Sequence, residues 1–315
     1  MFLHHNLSGN KMKTFKYIQI AVLLVLGIAN LEAQNNKDII YIKGANFTHP
    51  ILKSWIVEYA KVRPEVSIQI APKDVDEEKI AINVVADDSQ KKEEQLSLQV
   101  ARYALLPIVN KQNPILTEIN NKGLNKDKIQ KLFFEKDIDS DGKYPFKNES
   151  TIYSGSLSTS NSIYFAQYFD KQTDQLKGKK IAGDDIYIIS ALNKDPNGVA
   201  FNYLSYIYDT KSKALKDGIA ILPIDLKKDQ WQSIVSGIDE TIDLLENQKV
   251  NLIPINPISI TIDYVNLNKD AQDFLKWIVT EGQKYNHNQG FLMVDSSQKD
   301  NLKKQIDYAS LQENK

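Results

Sequence analysis

Ile39-Ile40-Tyr41-Ile42 is a short apolar run that breaks at Gly44, and an amphipathic stretch follows. Thr48 can cap a helix, and Pro50 is tolerated in a first helical turn. Leu52, Trp55, Ile56, Tyr59 and Ala60 then recur at helical spacing, with Pro64 beyond the end. Val66 to Ile70 alternates as a strand, and Ile80 to Val85 supplies a third. Strand, helix, strand in this order predicts a parallel α/β unit. The helix start after Gly44 then lies at the carboxyl edge of the sheet, where open α/β sheets bind ligands.

The same reading extends along the chain. Tyr103 to Val109 is another apolar run, followed by Asn110 and Asn113-Pro114. Asn125 can cap a short helix with Ile129, Leu132 and Phe133 on one face. A polar insert, Asp137 to Glu149, precedes Thr151-Ile152-Tyr153, a Ser/Thr-rich turn and a helix through Phe165, Ala166 and Tyr168. Ile186 to Leu192 predicts a helix, Asn197-Gly198 a turn, Val199 to Tyr208 an aromatic strand and Ile219 to Pro223 a short one. Ile242 to Leu245 belongs to a helix and Ile258 to Val265 to a strand. Ala271, Phe274, Leu275, Ile278 and Val279 mark an amphipathic helix with Gly282 near its end. Phe291 to Val294 is expected as a last strand and Leu302 to Leu311 as a closing helix.

Charge and cysteine content exclude several functions. Residues 1–33 read as an export signal: Lys11, Lys13 and Lys16, then the apolar run Ile18 to Ile28, then Leu31-Glu32-Ala33 before Gln34. Met12 is an alternative start. The apolar run is short of the roughly 20 residues of a membrane span, so cleavage is expected over an uncleaved anchor. The 315-residue chain has no cysteine, which removes disulfides, thiolate metal sites, a cysteine nucleophile and lipid attachment at a cleavage-site cysteine. The mature part is thus expected free in the periplasm or secreted, touching membrane only through the signal peptide. Net charge is −1, without the basic excess that nucleic acid attracts. Arg63 and Arg102 are the only arginines, although Arg is the usual bidentate clamp for oxyanions.

Four segments resemble the type II periplasmic binding proteins, and among them the phosphate-binding, PstS-like substrate-binding family of ABC importers. They are Gly44-Ala45-Asn46-Phe47-Thr48-His49-Pro50 with Trp55 and Glu58-Tyr59; Arg102 to Asn110 with Asn113-Pro114; Leu124 to Phe133; and Ala271 to Gly282-Gln283 followed by Gly290-Phe291. The resemblance implies an α/β fold of two lobes joined by two crossover segments. Lobe I would hold residues 34–109 and 254–315, and lobe II residues 110–253. It implies a monomeric, non-enzymatic solute-binding protein that traps phosphate or a related small anion by hinge closure and hands it to an ABC permease.

Three loops are the candidate ligand site. The first offers Asn46, Phe47 and Thr48, the second Asp87 and Ser89, and the third Ser156, Ser158, Thr159 and Ser160 at a helix start. Helix starts present free N–H donors and partial positive charge to an anion. The family has Ser or Thr where Ala45 and Asn46 stand here, and an Arg beside the hydroxyl loop that this chain lacks. These departures motivate the alternative, a binding-protein fold reused as a non-transport sensing or envelope interaction module. No cofactor is expected. Asp137, Asp139 and Asp141, followed by Gly142, have the acid spacing of a calcium loop, but Asn148 stands where a bidentate Glu would close it. His49 and His287 are the histidines beyond the leader and show no partner set for catalysis. They read as a helix-start residue and a surface-turn residue, and Trp55, Trp231 and Trp277 read as core.

Overall fold

The computed structural model describes residues 39–86, 95–119, 122–134 and 146–312. In chain order the strands and helices are β1 (Ile39–Gly44), α1 (His49–Val62), β2 (Ser67–Ile70), β3 (Ile80–Val85), β4 (Gln95–Asn110), α2 (Ile115–Glu118), α3 (Lys126–Phe133), β5 (Thr151–Gly155), α4 (Ser160–Tyr168), β6 (Lys179–Ile181), α5 (Ile186–Lys194), β7 (Gly198–Tyr203), α6 (Leu204–Ile207), β8 (Ile219–Ile221), α7 (Lys228–Ser236), α8 (Ile238–Asn247), β9 (Ile255–Asp263), α9 (Lys269–Val279) and α10 (Lys299–Gln312).

Two sheets share one long strand. The first runs β2-β1-β3-β9-β4, and the continuation of β4 pairs with β8 on one side and β7 on the other, leading to β5 and β6. β1 pairs in parallel with β2 and β3, as strand–helix–strand order requires, and β5 pairs in parallel with β6 and β7. β9 is antiparallel to both β3 and β4. Gln95 to Ala104 of β4 pairs with β9, and Leu105 to Val109 pairs with β7. The chain therefore crosses from one sheet to the other within β4. It returns beside that point, where Leu105 N donates to Pro254 O at 3.0 Å. This is a two-lobed type II binding-protein architecture with two adjacent crossovers.

Burial explains why the elements form where they do. Ile51, Leu52, Trp55 and Tyr59 lie on the buried face of α1, and the Trp55 side chain is fully enclosed. Its Nε1 donates to Gly282 O at 3.2 Å and to Asn286 Oδ1 at 3.1 Å. Truncating such a side chain costs roughly 3–5 kcal/mol. Asn125 caps α3 by accepting from Lys128 N, and Ile129, Leu132 and Phe133 point into the core. Gln283 sews the carboxyl-terminal segment to β4: its Nε2 donates to Val100 O and Ile278 O, each at 2.9 Å, while its Oε1 accepts from Val294 N at 3.0 Å. The Glu281-Gly282-Gln283 motif is thus a packing device.

Several expectations are corrected. The aromatic run to Tyr208 is a strand only through Tyr203, because Leu204 starts a one-turn helix. Phe291 to Val294 forms no strand and makes a single bridge, Leu292 to Arg102. β6 and α7 were not expected at all. Thr48 occupies the N-cap position of α1 without a side-chain cap bond, since its hydroxyl donates to Ala45 O at 2.7 Å. His287 sits in a half-exposed turn, as expected, and has a partner there: its Nε2 lies 3.0 Å from Glu246 Oε1.

Candidate functional site

The parallel strands of both sheets end toward the same place. β1 delivers the Asn46–Thr48 turn, β5 delivers the Ser156–Thr159 turn and the start of α4, and β7 delivers Tyr203. The Phe47 and Tyr203 rings stack with centroids 4.2 Å apart and planes 1° from parallel. Tyr103, on the shared strand, meets both edge-on, at 5.2 Å from Phe47 and 5.4 Å from Tyr203. The carboxyl edges of the two sheets therefore meet through buried aromatic rings.

The expected ligand residues take different positions around this junction. Asn46 is exposed, Phe47 is buried in the stack, and Thr48 is fully buried with its hydroxyl turned into its own loop. Thr159 caps α4: its Oγ1 accepts from Ser162 N at 3.4 Å and donates to Ser156 O at 3.0 Å. Ser158 is exposed, with its hydroxyl 3.3 Å from that of Ser156, and Ser160 is half-buried as the first residue of α4. Asp87 and Ser89 lie outside the described residues, as do the leader and the calcium-loop acids Asp137, Asp139 and Asp141.

Sequence reasoning missed the polar cluster behind Tyr203. Asp185, at the N-cap of α5, is 8 % exposed, and Asn161 and Asn202 are fully buried. Asn202 Nδ2 donates to Asp185 O at 2.7 Å, and its Oδ1 accepts from Tyr203 N at 2.9 Å and from Asn161 Nδ2 at 3.3 Å. Gly155 is required here, because a Cβ would collide with Asp185 Oδ1 and Thr159 Oγ1. Asp185 Oδ1 and Asn161 Oδ1 are both buried without a hydrogen-bond partner. Burial pushes the Asp185 carboxyl up to about 6, with Asp184 beside it adding to the rise and the Tyr203 hydroxyl and Asn161 working against it. Burial, together with Asp185, also raises the Tyr203 phenol well above its ordinary value. The signals were in the sequence: Gly183-Asp184-Asp185 stands directly before an apolar helix, and Asn202-Tyr203 ends an apolar strand.

Neither arginine serves this cluster. Arg63 pairs with Asp273 at 2.9 Å, Asp270 at 3.0 Å and Glu65, and Arg102 Nε donates to Met293 O at 2.8 Å. A second set of contacts joins α8 to the segment after α9. Glu246 Oε1 takes the His287 contact and the Met293 N–H, at 2.5 Å. Burial works to raise the Glu246 carboxyl, but His287 and the Met293 N–H hold it below its ordinary value. Gly290 adopts a left-handed φ of 79° and packs on Ser205, whose backbone would meet an added Cβ at 2.9 Å.

Solved structures share this architecture. A candidate phosphate-binding protein from Planctomyces limnophilus aligns at TM-score 0.50 and 14 % identity, over 86 % of this chain and 98 % of its own. A candidate phosphate ABC transporter substrate-binding protein from Clostridium perfringens, solved with bound phosphate, aligns at TM-score 0.58 and 16 % identity, over 81 % and 99 %. An ABC-type phosphate transport receptor from Vibrio cholerae aligns at TM-score 0.52 and 12 % identity, over 81 % and 99 %. At such identities the likeness is one of fold, and the fold is that of the type II periplasmic binding proteins. No protein-family model matches the chain, and no curated protein matches it. Among the described residues no helix is long and apolar enough to cross a membrane.

Proposed function

We propose that this chain is an exported solute-binding protein that closes on a small solute and delivers it to the permease of an ABC importer. The observation behind this reading is the meeting of the two sheets' carboxyl edges at Phe47 and Tyr203, the position where open α/β sheets take ligands. Residues 34–109 with 254–315 would form one lobe and 110–253 the other, hinging where Leu105 and Pro254 lie side by side. Phosphate or a related small oxyanion is the first solute to test. The start of α4 and the hydroxyls of Ser156, Ser158 and Ser160 favour it, while the buried Asp185 carboxyl and the engaged arginines weigh against it. The test is calorimetric titration of the purified protein, freed of bound anions, with phosphate and then sulfate. Saturable binding that a Ser158→Ala/Ser160→Ala variant loses supports the oxyanion. Absence of heat with both anions, from folded protein, removes it.

The second reading is a binding-protein fold reused for sensing or partner contact. The Phe47–Tyr203 stack favours it, because the chain's own rings fill the junction a solute would occupy. Small-angle scattering separates the two: a solute-binding protein contracts when its solute is added, and the reused module keeps one radius of gyration.

A further inference from the structure

We infer that the solute taken between the two sheets carries a cationic, hydrogen-bond-donating nitrogen, seated against Asp185 and Asn161 behind the Tyr203 ring. This rests on the solute-binding reading above and names the solute class for that junction.

Three observations carry it. First, Asp185 Oδ1 and Asn161 Oδ1 are acceptors, both in side chains more than nine-tenths buried, and both lack a partner. A buried acceptor left unpaired costs about 1–3 kcal/mol, and more when it is charged; a primary ammonium brings three donors and no acceptor. Second, Asp185 makes no ion pair among the described residues, and the titratable groups that interact with it are Asp184 and the phenols of Tyr203 and Tyr206. The phenols stay protonated, so the charge here is that of the Asp184 and Asp185 carboxyls, which attract a cation and repel an anion. Third, the carboxyl lies beside Tyr203 and Tyr206, and Tyr203 belongs to an aromatic cluster. Phe47, Tyr103 and Tyr203 lie within 5.4 Å of one another between centroids, and Tyr206 meets Tyr203 edge-on at 5.6 Å. Ring faces attract cations, and more strongly once water is excluded. When the lobes part, Phe47 leaves the face of Tyr203, and a small amine can take its place against the ring with its nitrogen toward the carboxyl.

The experiment titrates the purified protein with ethanolamine and with putrescine, each beside choline and inorganic phosphate. Choline is the N-trimethyl form of ethanolamine, a cation that has no N–H to donate. The expected result is saturable binding of ethanolamine or putrescine, at least about tenfold tighter than choline and about tenfold weaker in Asp185→Asn. That variant keeps the side-chain shape, and its fold is checked by circular dichroism. Amine binding that is equal in Asp185→Asn, or choline binding as tight as ethanolamine, overturns the inference. The choline comparison needs no variant. Phosphate binding without amine binding at about 10 mM overturns it too while leaving the solute-binding reading intact. Absence of binding by all four compounds overturns the inference and leaves the solute-binding reading standing.

Discussion

Replacing Asp185 by Asn should make the protein more stable at neutral pH, and the gain should disappear in acid. Asp185 titrates near 6 in the folded chain against an ordinary carboxyl value of 3.8, with burial the chief cause. A carboxyl whose folded pKa is raised favours the folded state where both states are protonated, below about pH 4, and loses that contribution as pH rises through 6. About two pH units at roughly 1.4 kcal/mol each give about 3 kcal/mol. The Asn variant carries no ionisation, so its advantage should grow from near its acid baseline at pH 4 to about 3 kcal/mol above it by pH 7, and then level. Any fixed difference in packing between Asp and Asn shifts the baseline and leaves the pH dependence alone. Other carboxyls titrate in both proteins and cancel in the difference. Urea unfolding followed by tryptophan fluorescence at pH 4, 5, 6 and 7 measures it. A stability difference that stays constant across this range would refute the argument that Asp185 is ionised against its burial.

Glu246→Gln should destabilise the wild-type contact with His287 and the Met293 N–H by about 1–2 kcal/mol at pH 7. Because the folded carboxyl lies below its ordinary 4.5, that contribution is present above this value and lost as pH falls below it, so the two unfolding curves should converge in acid. Gln283→Ala removes four buried hydrogen bonds and should cost about 2–4 kcal/mol in urea unfolding; a loss under 1 kcal/mol would mean water replaces them. Gly290→Ala forces a Cβ onto a left-handed backbone and against Ser205, and should lower the unfolding midpoint by more than the ~1 kcal/mol of the backbone effect alone. A midpoint equal to wild type would show that this approach is loose.

The parts of the fold legible in the sequence are those where one residue type has one physical use. Asn125 stands before an amphipathic octet and caps it; Ile39–Ile42 and Ile80–Val85 are apolar and become strands of the first sheet. β6 was illegible because Lys179-Lys180-Ile181 is a three-residue edge strand with no apolar alternation, held by pairing with β5. The strand after Gly198 was overextended because Leu204 to Tyr208 is as apolar and aromatic as what precedes it, and composition alone does not mark where a buried strand turns into a buried helix. At the site, the hydroxyl loop was found as a loop, yet its Thr159 is engaged in capping. In the sequence, an Asp-Asp pair after glycine has the composition of a solvated turn, which hides Asp185. Only the arrival of β5 and β7 on either side of it makes the carboxyl a buried one.

The strand shared by both sheets also sets an order of assembly. Every partner of the second sheet, from β4 through β8, lies within a continuous stretch of chain ending at Ile221. The first sheet is different: β3 and β4 do not touch until β9 comes between them, and β9 ends at Asp263. A chain emerging from its amino end can therefore complete the second sheet while β1, β2 and β3 still wait for their bridging strand. Pairings between such distant segments form slowly, and domains settle as units in the order they become available. Truncation before Ile255 would leave the second sheet with all its strands and the first in two unjoined pieces.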